Sequence, residues 1–423
     1  MANTRIPTGI QDTVSGQRLE LERRLAGRYV DRHMDAPVRD NDLIKVIVGP
    51  RRAGKSFYAS HLVTSFGRWG YANFDDERLV DLKDYDQLIA AIDQAQGKPT
   101  HLLLDEVQNI DRYELLVNRL QRQGRRLIIT GSNAHLLGRE LATHLTGRHQ
   151  PITLLPFSFA EYLDARGIEA QAESKEALPA YAESGGLPEP LMGDIDGKQY
   201  ASTLMDSVLY KDIVRRARIR APDGLAELAR YLATNVATEY SLRGLAGLAG
   251  CASEKTVQKY LGLLEEAFLF FSLKRFSFKV KEQAKANRKI YCIDNGFVTS
   301  RGFLTSSHIG RLCENVVAIA LKRKELAGEL QLYFWKDPQG HEVDFVVRRG
   351  RRVERLIQVS WDTTSPRTKD REVRALLKAS RALSCDDLVI LTADSEGEEH
   401  MSWFGTEGTI RTTPICKWLR ESS

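Results

Sequence analysis

The chain has 423 residues, of which 42% are hydrophobic and 28% are charged, and its formal net charge is +5. This length allows about two to four domains in a globular protein. No stretch of about 18 uncharged apolar residues occurs, which excludes a membrane-spanning helix.

The N-terminal residues and the cysteines indicate the cellular compartment. Residues 1–24 contain no apolar run of signal-peptide length. The cysteines are scattered and none forms a CxxC pair, so we expect buried thiols rather than zinc ligands or disulfides. They are Cys251, Cys292, Cys313, Cys385 and Cys416. We therefore expect a cytoplasmic protein that makes no membrane contact.

A β-rich run at 44–48 precedes a GxxxxGK[ST] motif that continues into a helix, which is the context of a P-loop. The glycines let backbone N–H groups face phosphates, and the helix N-terminus favours negative charge. Lys55 is expected to reach the β and γ phosphates, and Ser56 to bind Mg²⁺. The motif predicts an ATP and Mg²⁺ site made by Gly49, Pro50, Arg51, Arg52, Ala53, Gly54, Lys55 and Ser56.

Two later strands end in polar residues that complete such a site. The buried strand 101–104 ends in Asp105 and Glu106. We expect Asp105 to act on the metal side and Glu106 to polarise the attacking water. The next strand ends in Thr-Gly-Ser-Asn, where Asn133, or alternatively Ser132, could lie between Glu106 and the γ-phosphate. A plain strand-to-helix turn with an N-cap remains an alternative.

Arg139 and Arg148 follow in a segment that could meet the nucleotide of a neighbouring subunit. An arginine inserted in trans neutralises charge in the transition state, whereas ordinary surface arginines would do nothing here. The strands predicted at 45–49, 71–75, 101–105, 126–131 and 150–155 alternate with helices, which indicates a parallel sheet covered on both faces. A strand between the P-loop strand and the Asp-Glu strand is typical of AAA+ and STAND ATPases.

The residues behind this core are predicted to be helical, interrupted by "GGLP" at 185–188. A helix then ends in a basic cluster, which could be a solvated face or a phosphate contact. Its members are Arg215, Arg216, Arg218 and Arg220.

Residues 223–278 read as helix, short helix with Ser241 as N-cap, turn, helix and strand, the pattern of a winged helix-turn-helix. The last helix is expected to expose Lys255, Gln258 and Lys259. The wing and its sequel are rich in cations, with Glu282 as the only acid, which favours phosphate binding. The cations are Lys274, Arg275, Lys279, Lys281, Lys285, Arg288 and Lys289. DNA contact and protein docking both remain open for this module.

The stretch 341–362 predicts two strands joined by a basic turn that contains Gly350. Asp344 lies on the first strand, and Gln358 and Ser360 lie on the second, where a metal-dependent nuclease would have Glu and Lys. Lys369 or Arg367 from the next helix, or Asp362, could substitute. Alternatively, Asp344 caps a turn or pairs with an arginine such as Arg348.

The motifs along the chain are, in order, "GPRRAGKS", "LLLDEVQ", "TGSNA", "ELATHLTGR", "FSFAEYL", "GGLPEP", "LYKDIVRRARI" and "VDFVV". Their order resembles a family of prokaryotic, STAND-related AAA-type ATPases with a C-terminal domain of unknown function. The resemblance covers roughly residues 20–395. It implies ATPase roles for Lys55, Ser56, Asp105 and Glu106. It also implies a PD-(D/E)xK nuclease-like fold with Glu314 and Asp344 as its acids, from whose Glu-x-Lys motif Gln358 and Ser360 depart.

We thus expect an α/β protein: a P-loop ATPase parallel sheet, a helical lid, a winged helix-turn-helix and a C-terminal α/β nuclease-like domain. The expected domains are a helical segment 1–40, an ATPase core 41–156, a lid 157–222, a winged helix 223–285, a degenerate nuclease-like domain 286–395 and an extension 396–423.

Three functions fit these expectations. The first is an ATP-hydrolysing AAA+-type homo-oligomer that acts on or near DNA. The second is an ATP-dependent DNA nuclease. The third is a STAND-like regulatory switch that docks a protein partner through its winged helix.

Overall fold

The computed structural model describes residues 8–34, 38–80, 82–133, 147–248, 253–302, 309–362, 365–403 and 405–422. The chain divides into two compact units, residues 1–155 and 156–423. One unit contains a five-stranded sheet and the other contains a nine-stranded sheet.

The elements of the first unit alternate between helix and strand. The helices are α1 (Thr8–Leu25), α2 (Lys55–Ser65), α3 (Glu77–Val80), α4 (Tyr85–Gln96) and α5 (Tyr113–Arg122). The strands are β1 (Ile44–Val48), β2 (Trp69–Asn73), β3 (His101–Asp105), β4 (Arg126–Gly131) and β5 (His149–Thr153).

The sheet of the first unit is parallel, with strand order β2-β3-β4-β1-β5. Strands β1 and β3 are buried at every position, as expected when helices cover both faces of a parallel sheet. Strand β4 lies between β1 and β3. The α/β class and the parallel P-loop ATPase sheet are therefore confirmed, with β2 shifted two residues towards the N-terminus of its predicted range.

Helix α1 belongs to this unit rather than to a separate segment. Its Leu21 packs in a buried cluster with Ile47 of β1 and Tyr71 of β2. Arg18 donates a hydrogen bond to the Trp69 carbonyl at 2.7 Å, and its guanidinium lies over the indole ring. A domain boundary at 40/41 would cut through this packing.

The second unit begins with helices and ends in a mixed α/β layer. Its helices are α6 (Phe159–Arg166), α7 (Gln171–Ser184), α8 (Pro188–Met192), α9 (Gly197–Ser207), a π-helix (Val208–Val214), α10 (Arg215–Ala217), α11 (Pro222–Thr234), α12 (Leu242–Leu248), α13 (Glu254–Glu266), α14 (Val280–Lys285), α15 (Asn295–Arg301), α16 (Ile309–Leu326), α17 (Pro366–Leu383) and α18 (Ile415–Glu421). Its strands are β6 (Thr238–Tyr240), β7 (Phe270–Arg275), β8 (Arg288–Cys292), β9 (Gln331–Lys336), β10 (Glu342–Arg349), β11 (Arg352–Val359), β12 (Leu388–Thr392), β13 (Gly397–Trp403) and β14 (Thr406–Pro414).

The nine strands form one mixed sheet in the order β13-β14-β12-β11-β10-β9-β7-β8-β6. Strands β10 and β11 form the predicted antiparallel hairpin, and β12 joins β11 in parallel. Helix α17 covers β10, β11 and β14 with a continuous apolar cluster that includes Val346, Leu376 and Ile410.

The sheet crosses two of the expected domain boundaries. Strands β7 and β8 pair with each other, although a boundary at 285/286 would separate them. Strand β14 pairs in parallel with β12, so residues 396–423 extend the sheet instead of forming a separate extension. The other expected boundaries, at 156/157 and 222/223, stay predictions.

An aspartate joins the helical part of the second unit to its sheet. Asp294 accepts hydrogen bonds from the backbone N–H of Gly186 at 2.7 Å and of Gly296 at 2.8 Å. A Cβ at Gly185, where φ is +73°, would lie 2.0 Å from the Asp294 carboxylate. The "GGLP" stretch therefore needs glycine because the chain passes close to Asp294.

Candidate functional site

The loop after β1 is shaped by two glycines. Gly49 has φ +151°, and a Cβ there would lie 2.0 Å from the Leu154 carbonyl oxygen. Gly54 has φ +87° and directly precedes α2, in a conformation that other residues avoid. The loop thus leads straight into a helix N-terminus, where unpaired amide groups and the helix dipole favour an anion.

Lys55 and Ala53 are buried within this loop. The Lys55 ammonium donates a hydrogen bond to the Pro50 carbonyl at 2.8 Å, so it lies across the loop. Ala53 is fixed from behind by Arg32, whose guanidinium donates to the Ala53 carbonyl at 3.0 Å and to the Leu155 carbonyl at 2.6 Å. Arg51 is half-buried and Arg52 is exposed. No sequence motif pointed to Arg32, because its partners are backbone atoms far along the chain.

Asp105 is the centre of a hydrogen-bonded group at the end of β3. Its Oδ1 accepts from Ser56 Oγ at 2.9 Å and from the Thr130 hydroxyl, and its Oδ2 accepts from the Tyr71 hydroxyl at 3.3 Å. The three donors come from α2, β4 and β2. Ser56 and Asp105 are thus brought together as predicted, while Thr130 and Tyr71 had not been assigned a role.

Burial raises the pKa of Asp105, and the neighbouring Glu106 raises it further. The hydroxyls of Thr130 and Ser56 and the charge of Lys55 lower this pKa in the opposite direction. A divalent cation at Ser56 and Asp105 would favour the ionised carboxylate, which is the form that Mg²⁺ prefers. The donor set therefore fits Mg²⁺ beside a phosphate held by the loop.

Glu106 adopts a left-handed backbone conformation, with φ +53° and ψ +46°. This conformation costs about 1 to 2 kcal/mol for a residue with a Cβ, and such strain is common at functional sites. The Glu106 N–H donates to Thr130 Oγ1 at 3.0 Å, and the Gln108 amide binds its carboxylate. Thr130 therefore holds the Glu106 backbone and Gln108 orients its carboxylate, while the residue is only half-buried.

The remaining predicted residues lie in different places. Asn133 is buried just beyond β4, and Ser132 Oγ lies 3.4 Å from the Gln108 amide that binds Glu106. Arg139 lies outside the described residues. Arg148 is exposed, and its carbonyl accepts a hydrogen bond from the Ile44 N–H at the start of β1. Arg148 therefore lies beside the N-terminal end of β1, whereas the P-loop follows the C-terminal end of that strand.

In the second unit, a buried lysine lies among carboxylates. Lys289 of β8 is 3% exposed, and its ammonium lies 2.9 Å from Glu314 Oε1, 2.8 Å from Glu342 Oε1 and 2.9 Å from Asp344 Oδ1. We had expected Lys289 among the exposed cations of the wing. It points inward because β8 alternates, which puts Lys289 on the same face as Tyr291, whose hydroxyl donates to Glu314 at 2.7 Å.

The other residues of this cluster correct several expectations. Gln358 accepts a hydrogen bond from the Asp344 N–H at 3.2 Å, and Ser360 lies just beyond β11. Arg348 does not pair with Asp344, because its guanidinium donates to Gln331. Lys369 does not reach the cluster either, since it pairs with Glu399 at 2.7 Å. Arg367 and Asp362 have exposed side chains.

A cavity of about 490 Å³ opens onto this cluster. Burial and the nearby Asp344 carboxylate raise the pKa of Glu314 to about 7. Within the described part of the chain, no group of three His, Cys, Asp or Glu side chains is arranged to hold a metal ion. The residues here therefore do not fit the metal centre of a PD-(D/E)xK nuclease.

Most of the expected wing cations are exposed, but Arg275 and Arg288 are half-buried and Lys289 is buried. Lys255, Gln258 and Lys259 are exposed on α13. The segment between β7 and β8 exposes Lys279, Lys281 and Lys285. It also exposes Phe278 at 73% and Val280 at 77%, whereas its acid Glu282 is paired with Lys279 at 3.0 Å. The arginines of the earlier cluster, Arg215, Arg216, Arg218 and Arg220, are exposed as well.

Comparison with known proteins places the chain among relatives in archaea and bacteria. It is 31% identical to Uncharacterized protein MJ1544 of Methanocaldococcus jannaschii over 418 residues, which is 94% of this chain and 92% of that protein. It is 30% identical to an uncharacterized protein of Haemophilus influenzae, over 77% of this chain and 84% of that protein. The chain belongs to their family.

Family models assign the parts of this family member separately. Residues 41–163 match an AAA domain, which agrees with the P-loop and the sheet described above. Residues 175–308 match a domain of unknown function (DUF8612), and residues 309–402 match another (DUF4143). The solved Walker-type ATPase PABY2304 of Pyrococcus abyssi is similar at 14% identity and a TM-score of 0.39, over 61% of this chain and 90% of that one.

Two further expectations can be compared with the described residues. No helix among them is both long and apolar enough to cross a membrane. Cys292, Cys313, Cys385 and Cys416 are buried free thiols, and Cys251 lies outside the described residues.

Proposed function

We propose that this AAA-domain protein hydrolyses ATP with Mg²⁺ and acts on DNA. The observation that supports hydrolysis most directly is the convergence of Ser56, Thr130 and Asp105 beside a strained Glu106. A site for nucleotide binding alone would need no carboxylate aimed by neighbours next to the metal position.

Each residue of the site has a distinct task in this proposal. The P-loop amides and Lys55 would hold the phosphates, with Lys55 exchanging the Pro50 carbonyl for phosphate oxygens. Ser56 and Asp105 would hold Mg²⁺, which supplies charge neutralisation at the transferred phosphoryl group. Glu106 would orient and polarise the attacking water, and Asn133 would lie between Glu106 and the γ-phosphate.

The position of Arg148 supports an assembly of several copies. A five-residue strand is about 16 Å long, so a side chain at the opposite edge of the sheet cannot reach the nucleotide of its own chain. As a finger, Arg148 could therefore act only on a neighbouring subunit, and Arg139 remains the alternative finger. We propose a homo-oligomer in which one of the two completes the neighbour's site.

The residues between α11 and β8 support DNA contact. Their order is helix, strand, helix, helix and a hairpin of β7 and β8 whose connection contains the short helix α14, and β6 pairs with β8 as in a winged helix. The proposed DNA-binding surface consists of the exposed lysines 255, 259, 279, 281 and 285. The surface also includes Phe278, which lies between β7 and α14 and could stack on an unpaired base.

The nuclease-like domain is proposed not to cut. The elements around Asp344 follow each other in the order α16, β9, β10, β11, α17 and β12. Gln358 and Ser360, however, provide neither a carboxylate nor a cation for catalysis. Incubation of the protein with plasmid and branched DNA in Mg²⁺ or Mn²⁺ should give no cleavage. Cutting that disappears in Asp344→Ala would instead show an active nuclease.

A regulatory switch that docks a protein is the second candidate. The exposed Phe278 and Val280 favour it, because neighbouring apolar side chains at a hairpin tip are also suited to a protein partner. Such a switch would keep the ATPase site but would need no phosphate contacts from the lysines.

A fluorescence anisotropy titration with duplex and single-stranded DNA distinguishes these candidates. At low and moderate salt, the wild type should bind, and its affinity should fall steeply with salt as counterions are released. The triple variant Lys279→Ala, Lys281→Ala, Lys285→Ala should bind more weakly with a shallower salt slope. A control that removes the same charge from exposed lysines elsewhere, Lys98→Ala, Lys175→Ala, Lys198→Ala, should bind like the wild type.

A further inference from the structure

The buried cluster of the second unit has a cation where a metal-dependent nuclease would have a metal. Glu314 from α16 and Asp344 from β10 are the two acids expected to hold a divalent ion. Both carboxylates lie 2.9 Å from the Lys289 ammonium instead. Glu342 adds a third carboxylate at 2.8 Å.

The cluster is held in place from several sides. Asp344 Oδ2 accepts a hydrogen bond from the Val359 N–H at 3.0 Å, and Oδ1 accepts one from the Lys289 ammonium at 2.9 Å. Tyr291 fixes Glu314, and Lys336 pairs with Glu342 at 3.0 Å. The ammonium is therefore surrounded by oxygens whose positions depend on β8, β9, β10, β11 and α16 together.

The Lys289 side chain stays protonated although it is buried. Burial by itself lowers the pKa of an ammonium, but Asp344 and Glu314 raise the pKa of Lys289 well above its ordinary value. Removal of one partner from a buried ion pair is strongly destabilising, since it leaves an uncompensated charge. The carboxylates consequently need a cation at this point.

We propose that Lys289 is the resident cation of the nuclease-like site and takes the place of a divalent metal. Three carboxylate oxygens surround one point at distances suited to an ammonium. Metal–oxygen distances are about 2.1 Å for Mg²⁺ and 2.3 to 2.6 Å for Ca²⁺, so oxygens that lie 2.8 to 2.9 Å from the nitrogen would need to move inward by about 0.7 to 0.8 Å for Mg²⁺ and about 0.2 to 0.6 Å for Ca²⁺. Loss of the amine should convert the cluster into a divalent-metal site.

Electron paramagnetic resonance with Mn²⁺ tests this proposal on the full chain without nucleotide. Every protein carries Asp105→Asn, which removes the carboxylate ligand of the proposed metal site in the first unit, and the pH is mildly alkaline so that Glu314 is ionised. With Lys289 present, we expect no bound Mn²⁺ that depends on Asp344. Lys289→Met should bind one equivalent, and Lys289→Met with Asp344→Asn should lose it.

A matched control and a stability measurement complete the test. Lys336→Met removes another ammonium from Glu342 and should gain no Mn²⁺ site. Lys289→Met should unfold at a lower temperature than its parent, and Mn²⁺ should raise that temperature. Asp344-dependent Mn²⁺ binding with Lys289 present, or a Lys289→Met protein that Mn²⁺ neither binds nor stabilises, would overturn the proposal. Neither outcome would affect the ATPase proposal, which concerns the other unit.

Discussion

Ser56 Oγ donates a hydrogen bond to Asp105 Oδ1 at 2.9 Å, although the two residues are 49 positions apart in the chain. The contact joins the start of α2 to the end of β3. Strand β4 lies between β1 and β3 and contributes Thr130 to the same carboxylate. The strand order therefore creates the proposed metal position.

Asp105→Asn should stabilise the protein in the absence of nucleotide and metal. Burial raises the pKa of Asp105 in the folded state above its value in the unfolded state. Between these two pKa values the unfolded chain loses its proton more readily, so the protein becomes less stable as pH rises. The variant should therefore melt at a higher temperature than the wild type at neutral pH. The difference should shrink at acidic pH, where the wild-type carboxyl is protonated. Thermal melting across pH measures this, and an equal difference at all pH values would contradict it.

Arg148→Ala should lower ATP turnover by about 10³-fold if Arg148 is the finger that acts in trans. Nucleotide binding should remain, because the P-loop of the same chain is untouched. Mixing this variant with Glu106→Gln subunits, which retain their arginines, should partly restore activity. The exposed Arg122→Ala serves as the control and should have no effect. A rate per subunit that stays constant from monomer to oligomer would show that the site is self-sufficient.

The sequence predicted the first unit well because its signals are local. GxxxxGK[ST] and the Asp-Glu strand end are local patterns, so the sequence alone was enough to propose Lys55, Ser56, Asp105 and Glu106. The hydroxyls of Tyr71 and Thr130 were missed, since only the strand order brings them to Asp105.

Lys289 shows why the second unit was harder to predict. Its neighbours in the sequence are exposed cations, and a charge count therefore assigned it to the same surface. The alternation that places Lys289 on the same face as Tyr291 was the only local sign that it points inward. The three acids around it come from α16 and β10, and their approach depends on a nine-stranded sheet that no local pattern specifies.

Gly185→Ala should strongly destabilise the second unit. The new Cβ would lie 2.0 Å from Asp294 Oδ1, at a φ of +73° that alanine rarely adopts. Gly262→Ala, in the interior of α13, is the matched control: its Cβ would meet nothing within 4 Å, and helix propensity should add up to about 1 kcal/mol of stability. Chemical denaturation of both variants measures the contrast, and equal stability would contradict the role of Asp294.

Phe278→Ala should weaken binding to single-stranded DNA by roughly 5-fold or more, because stacking on one base contributes about 1 to 3 kcal/mol. Phe278→Tyr keeps the ring and should bind like the wild type. Anisotropy titrations at one salt concentration measure both. Unchanged affinity for Phe278→Ala, with weakened binding to a protein partner, would favour the docking switch.

The most direct test of the central proposal is steady-state ATP hydrolysis by the wild type and Glu106→Gln, with nucleotide binding measured in parallel. We expect Mg²⁺-dependent turnover in the wild type. Glu106→Gln should retain ATP binding while its turnover falls by about 10² to 10⁴-fold, because the water-polarising carboxylate is gone and Ser56 and Asp105 remain. Lys55→Ala should lose binding or turnover. Wild-type turnover in Glu106→Gln, or no turnover in the wild type at any protein concentration, would contradict the account.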